Sequence, residues 1–276
     1  MIKPSDISVI LLSFARPWNL PIICQSLVDY GFLDIHVVDN WQPSWESDDE
    51  ISQGDESLLH TQFTEELRGK IKFIKARRNC KTASRYLSMD SQVENEVIAT
   101  VDDDYVVTPE GWDRLRSAWT GEKIVAQLPA TNGQFRQANN MPFINIGYGS
   151  LFRRSWSNVS FSYLLNEGLI TQADFHRFAD RIFTTFFGSW DVTEATENTL
   201  IRLQNHDGSY SDVDNSSIHL KGDYWLDQWN LVMKVMGLRS AARIQYMRES
   251  PSLLGYQSQM GFLSHTGFGD SAAGNG

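Results

Sequence analysis

The chain has 276 residues, of which 41% are hydrophobic and 21% charged, as expected of a globular protein with a substantial core. Its formal net charge of −10 excludes nucleic-acid binding through bulk charge alone, because that affinity comes from Lys and Arg neutralising phosphates. Two cysteines, Cys24 and Cys80, do not make a disulfide framework, and no apolar run approaches the roughly 20 residues needed to cross a bilayer. We therefore expect a cytoplasmic protein with no signal peptide and no transmembrane segment.

The first third of the chain alternates strand and helix signals. A continuous apolar run at Ile7–Leu12 predicts a buried strand, and Pro17 suits the first turn of a helix that ends at Tyr30 before Gly31. Residues 41–68 are polar and acid-rich, which predicts a loop with one helix at most. Similar runs predict strands at 35–40, 72–75 and 97–101, and a helix at 82–89.

Strands separated by helices predict an α/β fold with a doubly wound, mostly parallel sheet and a site at the carboxyl ends of the strands. The second half of the chain is less regular. Short apolar runs there predict strands at 124–128 and 143–150, and periodic segments predict helices at 156–165, 172–187 and 223–236. The small polar residues at 271–276 are typical of a disordered tail. No domain boundary is evident, so we predict a single domain over residues 1–270.

Three consecutive carboxylates, Asp102, Asp103 and Asp104, directly follow the strongly apolar predicted strand at 97–101. Their mutual repulsion costs stability unless a cation or solvent offsets it. A solvated acidic turn is the alternative, but the end of a buried central strand is a poor position for residues that only confer solubility. Oxygen-rich sites suit hard cations such as Mg²⁺ or Mn²⁺, which often keep phosphate oxygens in their remaining coordination positions. The triplet therefore predicts a divalent cation held against a diphosphate.

Polar residues after the other predicted strands belong to the same edge of the sheet. Ser13 and Arg16 follow the first strand, where the backbone turns toward a ligand. Asp39 ends the second strand, where an acidic residue commonly meets the ribose or base of a nucleotide. Four basic residues between the third and fourth strands suit a diphosphate: Arg77, Arg78, Lys81 and Arg85.

The segment from Ile7 to about Trp156 resembles the GT-A glycosyltransferases, and is similar to their exostosin-like branch. The resemblance rests on Ser-Val-Ile-Leu-Leu-Ser-Phe-Ala-Arg-Pro, on Val-Val-Asp-Asn and on Val-Asp-Asp-Asp-Tyr-Val-Val-Thr-Pro. In that family an Asp-x-Asp motif ligates Mn²⁺, and the first strand and its loop bind UDP. The resemblance implies a metal-dependent glycosyltransferase that moves a sugar from a nucleotide-diphosphate donor, a UDP-sugar, to a hydroxyl.

The resemblance also implies roles for individual residues. Asp104 is expected to be the principal ligand of Mn²⁺ or Mg²⁺, Asp102 or Asp103 to contact the ribose or the metal, and His219 to be a late metal ligand. The expected donor-binding set is Ser13, Arg16, Asp39, Arg85, Asp102 and Asp103. Residues 1–120 would then form the donor half of the domain and residues 121–270 the acceptor half.

An inverting transferase also needs a carboxylate base for the acceptor hydroxyl. We choose Asp180 because it lies in an otherwise apolar helical stretch, with Phe178 and Ala179 before it and Ile182 and Phe183 after it. An ordinary surface charge on a helix is the alternative interpretation of Asp180. Three further acidic residues are considered beside it: Asp174, Asp223 and Asp227.

The sequence leaves alternatives open for both the acceptor and the reaction class. A saccharide is slightly favoured as acceptor over a hydroxymethylated pyrimidine in DNA, which the basic residues at 70–81 would hold. A nucleotidyltransferase shares the sheet and the acidic metal ligands, but it usually has a glycine-rich loop after the first strand, which the segment Ser13–Pro17 lacks. A non-catalytic sugar-nucleotide-binding protein is the third hypothesis. The sequence does not fix the sugar, the stereochemistry or the oligomeric state.

Overall fold

The computed structural model describes residues 1–14, 16–40, 63–76, 80–89, 93–129, 143–204, 224–238 and 263–264. The strands in this part are β1 (Ile7–Ser13), β2 (Asp34–Asp39), β3 (Lys72–Ala76), β4 (Val97–Asp102), β5 (Tyr105–Val107), β6 (Ile124–Pro129), β7 (Ser150–Arg153), β8 (Trp190–Ala195), β9 (Leu200–Arg202) and β10 (Leu263–Ser264). The helices are α1 (Leu20–Tyr30), α2 (Glu65–Arg68), α3 (Ser84–Leu87), α4 (Pro109–Ala118), α5 (Arg154–Asn166), α6 (Gln172–Phe187) and α7 (Tyr224–Leu238).

An eight-stranded sheet organises the chain, in the order β10-β3-β2-β1-β4-β7-β6-β8. The strands β3, β2, β1 and β4 run parallel to one another, and β7 and β10 are antiparallel to their neighbours. The strands β5 and β9 form a separate antiparallel pair. This mostly parallel α/β sheet confirms the fold class predicted from the alternating strand and helix signals.

Helices cover both faces of the sheet, so its central strands are buried on each side. In β1, Ile10 packs with Phe161 and Phe183 of α5 and α6, whereas Val9 and Leu11 pack on the opposite face with residues of α1 and α4. This alternation follows from the two-residue period of a strand. It explains why the sequence of β1 is apolar throughout.

Local signals in the sequence set most helix boundaries. Gly31 ends α1 with φ 102, a conformation that glycine adopts without a Cβ clash. Thr108 caps α4 by accepting from the Gly111 backbone N–H at 3.2 Å. Thr171 and Asp174 form a reciprocal capping box at the start of α6. Asp174 is thereby engaged in helix capping.

One prediction for the second half of the chain is wrong in detail. The expected strand at 143–150 is a strand only from Ser150 onward, because Gly149 has φ 97 and the carbonyl of Gly147 turns to accept from the Asp102 backbone N–H. The strand β8 is not predicted because half of its residues are polar, and β5, β9 and β10 are not predicted because each has only two or three residues. Several residues named above lie outside the described part of the chain: Arg77, Arg78, His219, Asp223 and 271–276.

None of the helices in the described segments has the length and apolar character needed to cross a membrane.

Candidate functional site

The carboxyl ends of β1, β2 and β4 meet at one edge of the sheet. The register pairs Ser13 with Asp39 and Leu12 with Asp102. Parallel pairing therefore brings three of the predicted site residues to the same edge: Ser13, Asp39 and Asp102. Asp39 is buried, with 8% of its surface exposed, and Ser13 is buried as well.

Asp103 holds the loop that follows β1. Its Oδ2 accepts from the backbone N–H groups of Phe14 at 2.8 Å and Arg16 at 3.3 Å, and its Oδ1 pairs with the Arg16 guanidinium at 3.2 Å. Asn19 adds a bond of 2.9 Å to the Asp103 backbone carbonyl. The Asp103 carboxylate and the Arg16 guanidinium therefore pair with each other, and together they fix the shape of the loop after β1.

Asp102 forms the wall of the site with Arg85 and Gly147. The Arg85 Nη2 lies 2.6 Å from Asp102 Oδ1, and the Asp102 backbone N–H donates to the Gly147 carbonyl at 2.9 Å. A Cβ at Gly147 would lie 1.8 Å from Asp102 Oδ2, so only glycine leaves room for this carboxylate. The side chain of Asp102 remains 36% exposed and can receive a ligand.

Arg85 also reaches Asp180, which joins the two halves of the site. The Arg85 Nε lies 3.4 Å from Asp180 Oδ1, and the Tyr86 hydroxyl donates to the same oxygen at 2.8 Å. Within α6 the backbone leaves helical geometry at Phe178, with φ −130 and ψ 21, two residues before Asp180. The sequence predicted Asp180 and Arg85 as site residues, but it gave no indication that one guanidinium bridges two carboxylates.

Asp180 occupies an environment that suits a base. Burial raises the pKa of Asp180, whereas the neighbouring Arg85 guanidinium acts in the opposite direction by stabilising the charged form. Both contacts named above use Oδ1, and the side chain is 13% exposed. Asp180 is thus held by two neighbours while part of its surface remains open.

Asp104 is the least engaged carboxylate of the three. Within the described part of the chain, its carboxylate receives no hydrogen bond and no ion pair. Burial, followed by repulsion from Asp102 and Asp103, raises the pKa of Asp104 to about 7. The charges of Arg16 and Arg202 offset only part of this rise, and a bound cation would offset it further.

The chemistry of these side chains fits a divalent cation that has few protein ligands. Across the described ranges no group of three His, Cys, Asp or Glu side chains is arranged to hold a metal. Asp104 and the exposed part of Asp102 are nevertheless the one or two carboxylates that Mg²⁺-type sites use when substrate phosphates provide further ligands. The predicted third ligand, His219, lies outside the described residues.

The rival base Asp227 has different surroundings from Asp180. It is an exposed residue of α7, and its carboxylate pairs with Arg177 of α6 at 2.9 Å. Asp227 and Arg177 line an open groove between these helices with a volume of about 480 Å³. An exposed ion pair of this kind is typical of a helix surface.

Sequence reasoning gave no role to two residues of this region, Tyr86 and Asn40. The stretch that begins at Gly147 resembles the small-residue strand that lines the sugar and acceptor pocket of GT-A enzymes, but its sequence does not predict the contact of Gly147 with Asp102. The signal that could have identified Asn40 is an amide next to a predicted carboxyl-edge strand.

No family model and no curated protein matches the sequence. Solved structures match it by fold. TarS of S. aureus superposes with a TM-score of 0.52 at 12% identity, over 87% of this chain and 41% of that chain. TarS 1-349 in complex with UDP-GlcNAc gives a TM-score of 0.51 at 12% identity, over 91% of this chain and 75% of that one. Mannosyltransferase PcManGT from Pyrobaculum calidifontis, in complex with GDP-Man and Mn²⁺, gives 0.47 at 11% identity, over 94% and 82%.

This chain therefore spans less than half of the first of these structures, 41% of its length. The sheet of this chain has the arrangement of a GT-A-like glycosyltransferase fold. The narrower resemblance to the exostosin-like branch stays a prediction.

Proposed function

We propose that the chain is a metal-dependent glycosyltransferase that moves a sugar from a UDP-type donor to a hydroxyl acceptor. The observation that carries the proposal is the state of Asp104. This carboxylate follows β4 directly after Asp102 and Asp103, has no hydrogen bond or ion pair among the described residues, and has a pKa raised to about 7 despite the nearby charges of Arg16 and Arg202. In a GT-A-like fold this is where a cation and a diphosphate would compensate the charge.

The donor half of the site has groups for each part of a nucleoside diphosphate. Asp39 would accept hydrogen bonds from the nucleoside, and Ser13 and Arg16 would line the same loop. Arg85 is buried and already bridges two carboxylates, so it would act on the diphosphate as a nearby positive charge. The UDP-GlcNAc bound by TarS 1-349 supports a UDP-type donor.

Asp104 and Asp102 would hold the cation, which would stabilise the negative charge that develops on the diphosphate leaving group. Arg85 would keep Asp102 in a fixed orientation, because its Nη2 occupies Oδ1 and leaves Oδ2 on the side of Gly147. Asp103 would contribute indirectly by maintaining the loop after β1.

Asp180 would act as the base on the acceptor side. The acceptor oxygen forms a bond to the anomeric carbon while the bond from that carbon to the diphosphate oxygen breaks, and the hydroxyl proton passes to Asp180. The products are the glycosylated acceptor and the nucleoside diphosphate. General-base catalysis of this kind requires the ionised carboxylate, and Arg85 and the Tyr86 hydroxyl stabilise that form.

Contacts around the basic stretch at 70–81 favour a saccharide acceptor over a modified base in DNA. Lys70 pairs with Glu66 at 2.8 Å, and Lys72 pairs with Asp34 at 2.8 Å and Glu94 at 2.6 Å. Charges that are neutralised within the protein contribute less to binding phosphates. These two lysines are therefore poor candidates for a nucleic-acid surface.

A donor-hydrolysis screen tests the proposed function without an acceptor. The wild-type protein is incubated with UDP, GDP, dTDP and CMP sugars, with and without Mn²⁺. We expect slow, Mn²⁺-dependent release of UDP, which Asp104→Asn abolishes and which the exposed control Asp6→Asn retains. Release of pyrophosphate from a nucleoside triphosphate and a sugar phosphate would instead identify a nucleotidyltransferase. A protein that neither turns over nor binds any of these donors would refute the proposal.

A further inference from the structure

Asn40 connects the two donor-side strands to the turn that precedes α3. It follows β2 directly and has 1% of its surface exposed. Its Nδ2 donates to the Lys81 carbonyl at 3.2 Å, and its Oδ1 accepts from the Cys80 backbone N–H at 3.2 Å and from the Ser84 hydroxyl at 2.7 Å. The Asn40 backbone N–H donates to the Ser13 carbonyl at 2.9 Å. One residue thus ties β1 and β2 to this turn.

The turn contains a residue in a disfavoured backbone conformation. Lys81 has φ 53, and among the residues that the structure describes it is the one non-glycine residue with a positive φ. In this conformation the Cβ crowds the following carbonyl, so the conformation persists only where the surroundings hold it in place. The Asn40 side chain binds the Cys80 N–H on one side of Lys81 and the Lys81 carbonyl on the other.

The turn at Lys81 leads directly into the helix that carries Arg85. The single turn of 3-10 helix at Lys81–Ala83 continues directly into α3, which begins at Ser84. Arg85 is the next residue, with 1% of its surface exposed, and its guanidinium must reach Asp102 at 2.6 Å and Asp180 at 3.4 Å. A small shift of this turn would move the guanidinium away from one carboxylate or the other.

We propose that Asn40 is a positioning residue, which holds Lys81 in its left-handed conformation so that Arg85 bridges Asp102 and Asp180. This inference rests on the proposed function for its effect on catalysis, because Arg85 serves the donor site there. Asn40 itself touches neither donor nor acceptor in this account. Its contribution passes through the backbone from Cys80 to Ser84.

A rescue experiment tests this inference. Glycine adopts a positive φ at little cost, so Lys81→Gly should make the turn independent of Asn40, whereas Lys81→Ala should not. Both substitutions remove the same ammonium group, which makes each the matched control of the other. We expect Asn40→Ala to weaken UDP binding in the presence of Mn²⁺ about tenfold in the Lys81→Ala background, and less than about threefold in the Lys81→Gly background.

Thermal unfolding of the same four variants provides a second measurement that needs no ligand. We expect Asn40→Ala to lower the midpoint more in the Lys81→Ala background than in the Lys81→Gly background. Equal losses in the two backgrounds, by binding and by unfolding, would overturn the inference. If the wild-type protein binds no UDP, the proposed function fails, and the unfolding comparison alone then decides whether Asn40 holds the turn.

Discussion

Asp102, Asp103 and Asp104 are consecutive in the sequence, yet their carboxylates have three different environments. Asp103 binds the loop after β1, Asp102 pairs one oxygen with Arg85, and the Asp104 carboxylate has no hydrogen bond or ion pair in the described part of the chain. Backbone direction causes this division, because β4 ends at Asp102 and the next two residues lie in a turn. Residue spacing alone predicts a cluster of three acids, but not how the three differ.

The environment of Asp104 predicts that its ionised carboxylate destabilises the metal-free fold. The pKa of Asp104 in the fold is about 7, above its ordinary value of 3.8, so the folded protein binds this proton more tightly than the unfolded chain does. The ionised carboxylate therefore destabilises the fold, by an amount that grows from about pH 4 to pH 7 and then stays constant. Without metal at pH 8, Asp104→Asn should stabilise the protein by about 1–3 kcal/mol.

Denaturant unfolding at pH 4 and pH 8 in the presence of EDTA measures this difference. The gain from Asp104→Asn should be near zero at pH 4, since the wild-type carboxyl is largely protonated in the fold there. The exposed Asp6→Asn provides the control for a general change of charge. A stabilisation that is equal at the two pH values would contradict the assigned environment of Asp104.

At the scale of elements, the irregular segment at 143–149 matters as much as the strands do. It lies beside the end of β4. Its Gly147 carbonyl accepts from the Asp102 backbone N–H, and its Ile146 carbonyl accepts from the Thr100 hydroxyl at 3.0 Å. These bonds bring the segment against the Asp102 carboxylate. The apolar run at 143–146 resembles a strand, and its path is set by partners in β4 and α6 that are distant in the sequence.

Gly147→Ala tests this close approach. The new Cβ would lie 1.8 Å from Asp102 Oδ2, so the carboxylate must move and lose its alignment with Arg85. We expect kcat/KM for donor hydrolysis to fall by at least about a hundredfold, as for a misplaced catalytic group. Gly237→Ala in α7 is the matched control, because nothing lies within 4 Å of its Cβ, and it should leave activity unchanged. Near-normal activity of Gly147→Ala would show that Asp102 is free to move.

Several features could be predicted from the sequence because their signals are local. A few neighbouring residues are enough to predict three of them: the apolar run of β1, the glycine after α1 and the acidic residues that follow β4. The bridge from Arg85 to Asp180 and the bonds of Asn40 to Lys81 connect residues far apart in the sequence. Such contacts depend on the crossing of β2, α3 and α6 in space, which no local pattern encodes.

At the scale of the whole molecule, the candidate site joins the two halves of the chain. Asp102 belongs to the half that carries the predicted donor residues, and Asp180 belongs to α6 in the other half. Arg85 is buried between them and balances two negative charges, and these carboxylates keep its pKa high. Removal of one partner of such a buried group usually disturbs the other, so variants that change charge must be interpreted through both halves.

Asp180→Asn separates the acceptor step from donor binding. The substitution keeps the shape of the side chain and its reach toward Tyr86 and Arg85, but it removes the basic oxygen. Loss of a general base usually costs about a hundred- to ten-thousandfold in rate, so transfer should fall by that factor while UDP and Mn²⁺ bind within about threefold of wild type. Asp227→Asn is the control, because Asp227 pairs with Arg177 on the helix surface and should be dispensable.

The wild-type transfer rate should also fall as the pH drops through the raised pKa of Asp180, since only the ionised form takes a proton. Full activity of Asp180→Asn with an inactive Asp227→Asn would move the base to α7, and activity in both would favour proton transfer to the donor's own phosphate oxygen.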